Sequence, residues 1–180
     1  MYFGIYDECT VTRYKPQGER PLLIRVLEPC YKNIGIPWEL QYKDNYIDIL
    51  ELYFEDINRY SDKLNNEYTL FNKEMVYKII KFIENNDFDE IVVHCSAGIS
   101  RSSAVMIVVS RILGINEIER MICSSKHYLP NKLVIKTFEE VNYKIKALNY
   151  EHKNLINTNE IIYKDKSSIK INGEYIDILF

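Results

Sequence analysis

The residues with the strongest chemical content form one run, His94-Cys95-Ser96-Ala97-Gly98-Ile99-Ser100-Arg101-Ser102-Ser103, directly after the apolar triplet Ile91-Val92-Val93. A thiol, a glycine and an arginine, followed at once by a helical pattern, are the parts of an oxyanion grip. The backbone N–H groups of residues 96–101 form an anion-binding nest if the loop bends, and they open a helix whose N-terminus attracts negative charge. Gly98 supplies the positive φ that such a bend requires. In that field a Cys95 thiol loses its proton more readily, and the thiolate is the nucleophile. Arg101 presents a planar fork that reaches two oxygens of one tetrahedral oxyanion, which a lysine cannot do. Ser102 is placed to hydrogen-bond the Cys95 sulfur and make it a better leaving group. His94 reads as a residue that orders the loop backbone rather than one that transfers protons. A buried inert thiol is the commonest fate of a free cysteine; strand, spacing, arginine and helix together outweigh that reading.

Such a loop needs a strand to deliver it and a helix to receive it. Residues 91–93 supply the strand, and residues 102–113 supply a helix that is apolar nearly all round, hence buried, with Gly114 as its C′ residue. Upstream, residues 22–27 read as a strand ended by Glu28-Pro29. Residues 47–54 read as a second strand, apolar on both faces except at two positions, as buried parallel strands are. The first 21 residues read as an irregular or strand-plus-turn entry. Residues 55–67 turn polar and read as a long exposed loop, a length that in compact domains usually signals function. Thr69 is a plausible N-cap for a helix to about Asn85, with Phe71, Met75, Val76, Ile79, Ile80 and Ile83 at helical spacing. A short helix at 116–122, a turn at 124–131 and a helix at 132–148 with a stripe of Leu133, Val134, Phe138, Val141 and Ile145 follow. Strands alternating with helices predict an α/β fold with a mostly parallel central sheet flanked by helices and a ligand site at the carboxyl ends of the strands. Asn172-Gly173 between alternating runs predicts a hairpin, hence a small C-terminal β appendage in residues 151–180.

Composition narrows the function classes. The chain has 180 residues, 47% hydrophobic and 27% charged, enough for one globular domain with a real core. A net charge of −3 with no basic block predicts no nucleic-acid binding. The longest apolar stretch falls short of the roughly 20 residues that span a bilayer, and the first residues lack a signal pattern, so the expectation is a cytoplasmic protein without a membrane partner. Cys9, Cys30, Cys95 and Cys123 are far apart, and with only His94, His127 and His152 the chain predicts neither metal, cofactor nor disulfide framework.

His-Cys-x-x-Gly-x-x-Arg-Ser resembles the active-site signature of cysteine-based protein tyrosine phosphatases, and Ala97-Gly98-Ile99-Ser100-Arg101-Ser102 looks most like the dual-specificity branch. The resemblance covers about residues 45–145. It implies a protein tyrosine phosphatase-like fold with a phosphatase domain over residues 1–150. The implied activity is hydrolysis of phosphotyrosine, and of phosphoserine and phosphothreonine in the dual-specificity manner. By the same resemblance Cys95 forms a phosphocysteine, residues Ser96, Ala97, Gly98, Ile99, Ser100 and Arg101 hold the phosphoryl oxygens, and Ser102 assists breakdown. The absence of positive charge on Ser96, Ala97, Ile99 and Ser100 argues against highly charged inositol phosphates. A lipid, nucleotide or RNA-end phosphate remains an alternative substrate, and an inactive phospho-binding module an alternative class.

The family also needs a general acid, an Asp on an upstream loop. Asp56 lies 39 residues before Cys95 and Asp62 lies 33 before it. Spacing favours Asp62, while location at a strand end favours Asp56; the strand end is preferred because it positions a side chain better than a mobile loop. Glu55 and Asp48 read as solvated or strand-face carboxylates. Cys30 and Cys123 read as small core residues, Arg59 and Tyr60 as surface loop residues. His127 and Asn131 read either as a buttress for the loop or as a plain helix connection.

Overall fold

The computed structural model describes residues 1–141, 161–165, 168–171 and 174–179. Four parallel strands form the centre of an α/β fold: β1 (Tyr2–Tyr6), β2 (Pro21–Leu27), β3 (Asp48–Tyr53) and β4 (Glu90–His94), in the spatial order β3-β2-β4-β1. β2 and β4 are buried along their whole length, so their near-continuous apolar runs are what a strand covered on both faces requires. One register row crosses the sheet at its carboxyl edge, with His94 beside Tyr6 and Arg25, and Arg25 beside Glu51.

One face carries α4 (Lys73–Glu84), α5 (Arg101–Leu113), α6 (Asn116–Ser124) and α7 (Lys132–Glu140). Ile79 and Ile83 of α4, Val105 and Val109 of α5 and Val134 of α7 pack there with Leu22, Ile24, Ile91 and Val93 in one core. Each buried aliphatic side chain contributes about 1.5–3 kcal/mol. Among the described residues the opposite face carries α1 (Glu8–Arg13) and the segment to Tyr46, which cover Tyr6, Leu23 and Val92 with Val11, Leu40 and Trp38. α5 is buried from Arg101 to Ser110, and Gly114 ends it at φ 72°.

The start of β4 is clamped by polar groups. Glu90, fully buried, accepts from Tyr14 Oη at 2.6 Å and from the amides of Gln17 and Gly18 at 2.7 and 2.6 Å. The connection from α1 to β2 is thereby pinned to the central strand, which carries the Cys95 loop at its other end.

Several local expectations change. The first 21 residues hold an interior strand, β1, and the helix α1, capped by Asp7 Oδ1 accepting from Thr10 N at 2.8 Å. β3 is the outer strand of the parallel set and only half-buried, because among the described residues only β2 pairs with it. The long loop is interrupted by α3 (Asp62–Glu67), which Ser61 caps. The N-cap of α4 is Asn72, accepting from Met75 N, and not Thr69; residues 69–72 are extended or irregular, and Phe71 reaches the core from outside the helix. A four-residue α2 (Tyr31–Ile34) follows β2. Cys30 and Cys123 are exposed, not core: Cys30 precedes α2 at the surface, and Cys123 sits off the Ile118/Ile122 stripe that α6 buries.

The C-terminal strands β5 (Ile161–Asp165), β6 (Ser168–Ile171) and β7 (Glu174–Leu179) pair antiparallel with one another. β7 joins β1 in parallel through Phe3 opposite Ile178 and Gly4 opposite Leu179, extending the sheet to seven strands. Asn172-Gly173, Ile145 and Leu148 lie outside the described residues. Among the described residues no helix is long and apolar enough to cross a membrane, and no group of three or more His, Cys, Asp and Glu side chains could hold a metal ion.

Candidate active site

The loops after β1, β2, β3 and β4 meet at the carboxyl edge of the sheet, where β4 lies between β1 and β2 and the strand order reverses. The run from Cys95 to Arg101 occupies the middle of that edge. Cys95 N donates to Tyr6 O at 3.4 Å, which starts the loop against β1. Gly98 then has φ 70°, and a Cβ there would come within 2.8 Å of Asp7 N and 2.9 Å of Tyr6 C. Glycine is therefore required twice, for its backbone angle and for the close approach of the β1–α1 turn.

The carbonyls of the loop are turned away from its centre. Ser96 O accepts from Glu8 N at 3.3 Å, Ile99 O from Leu129 N at 3.2 Å and Ser100 O from Asn131 N at 3.1 Å. In a planar trans peptide the N–H points opposite its carbonyl, so the amides of Ala97, Ser100 and Arg101 face the other side. Among the described residues nothing accepts from the amides of residues 96–101. This is the donor arrangement an anion nest needs.

Cys95 is 2% exposed, and its Sγ lies 3.2 Å from Ser102 Oγ. Arg101, 4% exposed, folds its guanidinium back over the loop. Nη1 donates to Phe54 O at 3.0 Å, Nη2 donates to Ser96 Oγ at 3.0 Å and to Glu28 Oε1, and Nε is buried without an acceptor among the described residues. Ser96 Oγ in turn donates to the same Glu28 oxygen at 2.9 Å. Ser96 and Ala97 are exposed at the rim, and Ile99 and Ser100 are half-buried.

Asp56 follows β3 and is joined to the loop. Its Oδ1 accepts from Ser100 Oγ at 2.7 Å and from Asn131 Nδ2 at 2.8 Å. Asn131 is fully buried and bifunctional: Oδ1 caps α7 by accepting from Leu133 N and Val134 N, while Nδ2 also donates to Ile57 O at 3.2 Å. The turn before the last described helix thus buttresses both the loop and the Asp56 segment. His127 does not share that role; it is exposed and packs edge-on against Tyr128 at 5.0 Å. Asp62 sits in the first turn of α3, accepts from Tyr60 Oη at 3.2 Å, and has no hydrogen bond to the Cys95 loop. Arg59 and Tyr60 are exposed.

His94 is 1% exposed, and among the described residues neither ring nitrogen makes a hydrogen bond of good geometry. Its ring meets Trp38 edge-on at 5.5 Å, and Trp38 stacks under the Arg25 guanidinium at 4.6 Å. Burial and then the charge of Arg25 push its pKa down to about 3; the Cys95 backbone opposes them, and Arg101 (downward) and Asp7 (upward) have smaller effects. A neutral imidazole wedged behind the loop is a packing element.

Two carboxyl groups were not singled out by their sequence positions. Glu28 ends β2, where its sequence signal was only that of a strand terminus before Pro29. Burial raises its pKa, but the hydrogen bond and charge of Arg101, with further help from Ser96 and Glu55, hold it below the usual carboxylate range. Glu55, read as a solvated carboxylate, instead faces Glu28: burial and then the Glu28 charge raise its pKa, partly offset by Arg101. A carboxyl at the carboxyl end of a parallel strand was the one available hint for both.

No family model and no curated protein matches this sequence. Among solved structures, the human tyrosine phosphatase-like serine/threonine/tyrosine-interacting protein is similar with a TM-score of 0.39 and 16% identity, over 69% of this chain and 77% of that one. A likeness of that size carries no conclusion about fold or function, and both rest on this chain's own geometry.

Proposed function

We propose that this protein is a cysteine-dependent phosphomonoester hydrolase acting through a phosphocysteine intermediate. The observation that carries the reading is the joining of Cys95, Ser102, Arg101 and Asp56 around one loop whose carbonyls are turned away from its centre. Cys95 Sγ attacks phosphorus as the bond to the leaving oxygen breaks. Arg101 and the loop amides stabilise the transferring phosphoryl group, the main demand of this chemistry. Asp56 gives the leaving oxygen its proton. Its Oδ1 is held by Ser100 and Asn131, and among the described residues Oδ2 takes no hydrogen bond, which leaves that oxygen for the proton. Water then attacks phosphorus, Asp56 takes the water's proton, and the S–P bond breaks with Ser102 Oγ donating to the departing sulfur.

The substrate class we propose is phosphotyrosine together with phosphoserine and phosphothreonine. The exposure of Ser96 and Ala97 supports it, because a loop open at its rim accepts a short side chain as well as an aryl one. The test is hydrolysis of p-nitrophenyl phosphate and of a phosphopeptide panel by the purified protein. Vanadate-sensitive turnover that Cys95→Ser abolishes supports the reading. No turnover by folded protein refutes it and leaves a phospho-binding module.

A further inference from the structure

A guanidinium grips a tetrahedral oxyanion through two N–H groups of one fork, either Nε with Nη2 or Nη1 with Nη2. Both forks use Nη2, and in Arg101 that nitrogen already donates to Glu28 Oε1 and to Ser96 Oγ. Its neighbour Nε is buried and has no acceptor among the described residues. The arginine therefore has one half of a fork free and the other half held by an internal carboxylate. A phosphoryl dianion on the Nε and Nη2 side of that guanidinium would meet the Glu28 charge already held at Nη2, and the two anions repel each other.

We propose that Glu28 competes with the phosphoryl group for Arg101, and that an incoming oxyanion displaces its carboxylate while the freed Glu28 and its partner Glu55 take up a proton from solvent. The proposal rests on the reading of the Cys95 loop as a phosphoryl site. The groups that face Glu28 are Arg101 and Ser96 from the loop, Glu55 from the segment after β3, and Tyr31 of α2, whose pKa is raised by Glu8 and, more weakly, by Glu28. Glu55 faces Glu28, so once Arg101 is withdrawn the two carboxylates repel each other and the pair favours holding a proton. While paired with Arg101, Glu28 keeps the negative charge; once released, it loses the interaction that favours that charge, and the pair holds its proton more tightly. Oxyanion binding is thus linked to proton uptake, and it weakens as pH rises through the range where the pair ionises.

Inorganic sulfate is the probe, because it is a tetrahedral dianion at constant charge between about pH 5 and about pH 8. Calorimetric titration compares wild type, Glu28→Gln and Glu55→Gln. Glu28→Gln keeps an acceptor for Arg101 and Ser96 but removes the charge. It is expected to bind sulfate about tenfold tighter than wild type at the upper pH, the equivalent of about 1.4 kcal/mol. Wild type gains affinity toward the lower pH, and both variants lose most of that gain. Every other group is common to all three proteins, so the difference among them reports on the acid pair. The proposal is overturned by a wild-type affinity that does not change with pH, or by a folded Glu28→Gln protein that binds no tighter. Should Glu28→Gln fail to fold, a pH dependence retained in Glu55→Gln overturns it equally. Hydrolysis of p-nitrophenyl phosphate is measured alongside. Turnover without a sulfate effect removes this inference alone, and a sulfate effect without turnover removes the catalytic reading alone.

Discussion

Asn131 joins three parts of the protein at one buried side chain, and its replacement separates stability from site geometry. In Asn131→Ala, α7 loses its cap at Leu133 N and Val134 N, which costs about 1 kcal/mol. The bond to the Asp56 carboxylate is worth about 1.5–3 kcal/mol, and the Ile57 carbonyl left without its donor adds about 1 kcal/mol. Together the loss is about 4 kcal/mol, which shifts a urea midpoint by about 2 M for an ordinary slope. Asn131→Asp is the informative partner. Its carboxylate caps α7 as well as the amide does, but it sets an oxygen where Nδ2 lay 2.8 Å from Asp56 Oδ1. Two carboxylates at that distance hold a proton between them, so the folded-state pKa of the pair rises above its unfolded value. Stability from that proton is present below the ordinary carboxylate range and is lost as pH rises through the raised value. Urea denaturation at several pH values tests this. Asn131→Asp should match wild type most closely in acid and fall away toward neutral pH, while Asn131→Ala stays low throughout. A loss below 1 kcal/mol in Asn131→Ala, or parallel pH profiles for the two variants, would refute the bridging role.

Two further outcomes follow from the site. Asp56→Asn should lower kcat about 100-fold or more on alkyl phosphates and much less on p-nitrophenyl phosphate, whose leaving group needs little protonation; a wild-type profile for Asp56→Asn with a large loss for Asp62→Asn would move the acid to Asp62. His94 has a folded pKa of about 3, below its unfolded value, so the neutral ring contributes stability above about pH 6.5 that is lost as pH falls toward 3. Acid denaturation of His94→Leu should therefore be shallower than that of wild type, and equal slopes would count against the buried neutral imidazole.

Much of the site is local and was legible in the chain. Cys95, Gly98, Arg101 and Ser102 lie within eight residues, so a strand, one turn and a helix start are enough to bring them together. Local propensity could not say what surrounds them. The role of Glu28 depends on β4 inserting between β1 and β2, and Asn131 meets Asp56 only because α7 starts under the loop. The same limit appears in the fold: the alternation of strands and helices was readable from periodicity, whereas the outer position of β3 and the interior position of β1 were not. Hydrophobic pattern states that a strand is buried but not by which neighbours.

The sequence by itself determined the proposed nucleophile Cys95, the arginine and the bend between them as one local unit, because backbone sterics and short-range spacing decide those. Tertiary structure alone decided which carboxyls reach them: Asp56 rather than Asp62 hydrogen-bonds the loop, and Glu28 occupies the Nη2 side of Arg101. Side chains brought together across 44 and 73 residues are arranged by the order of strands in the sheet, and no local pattern encodes that order.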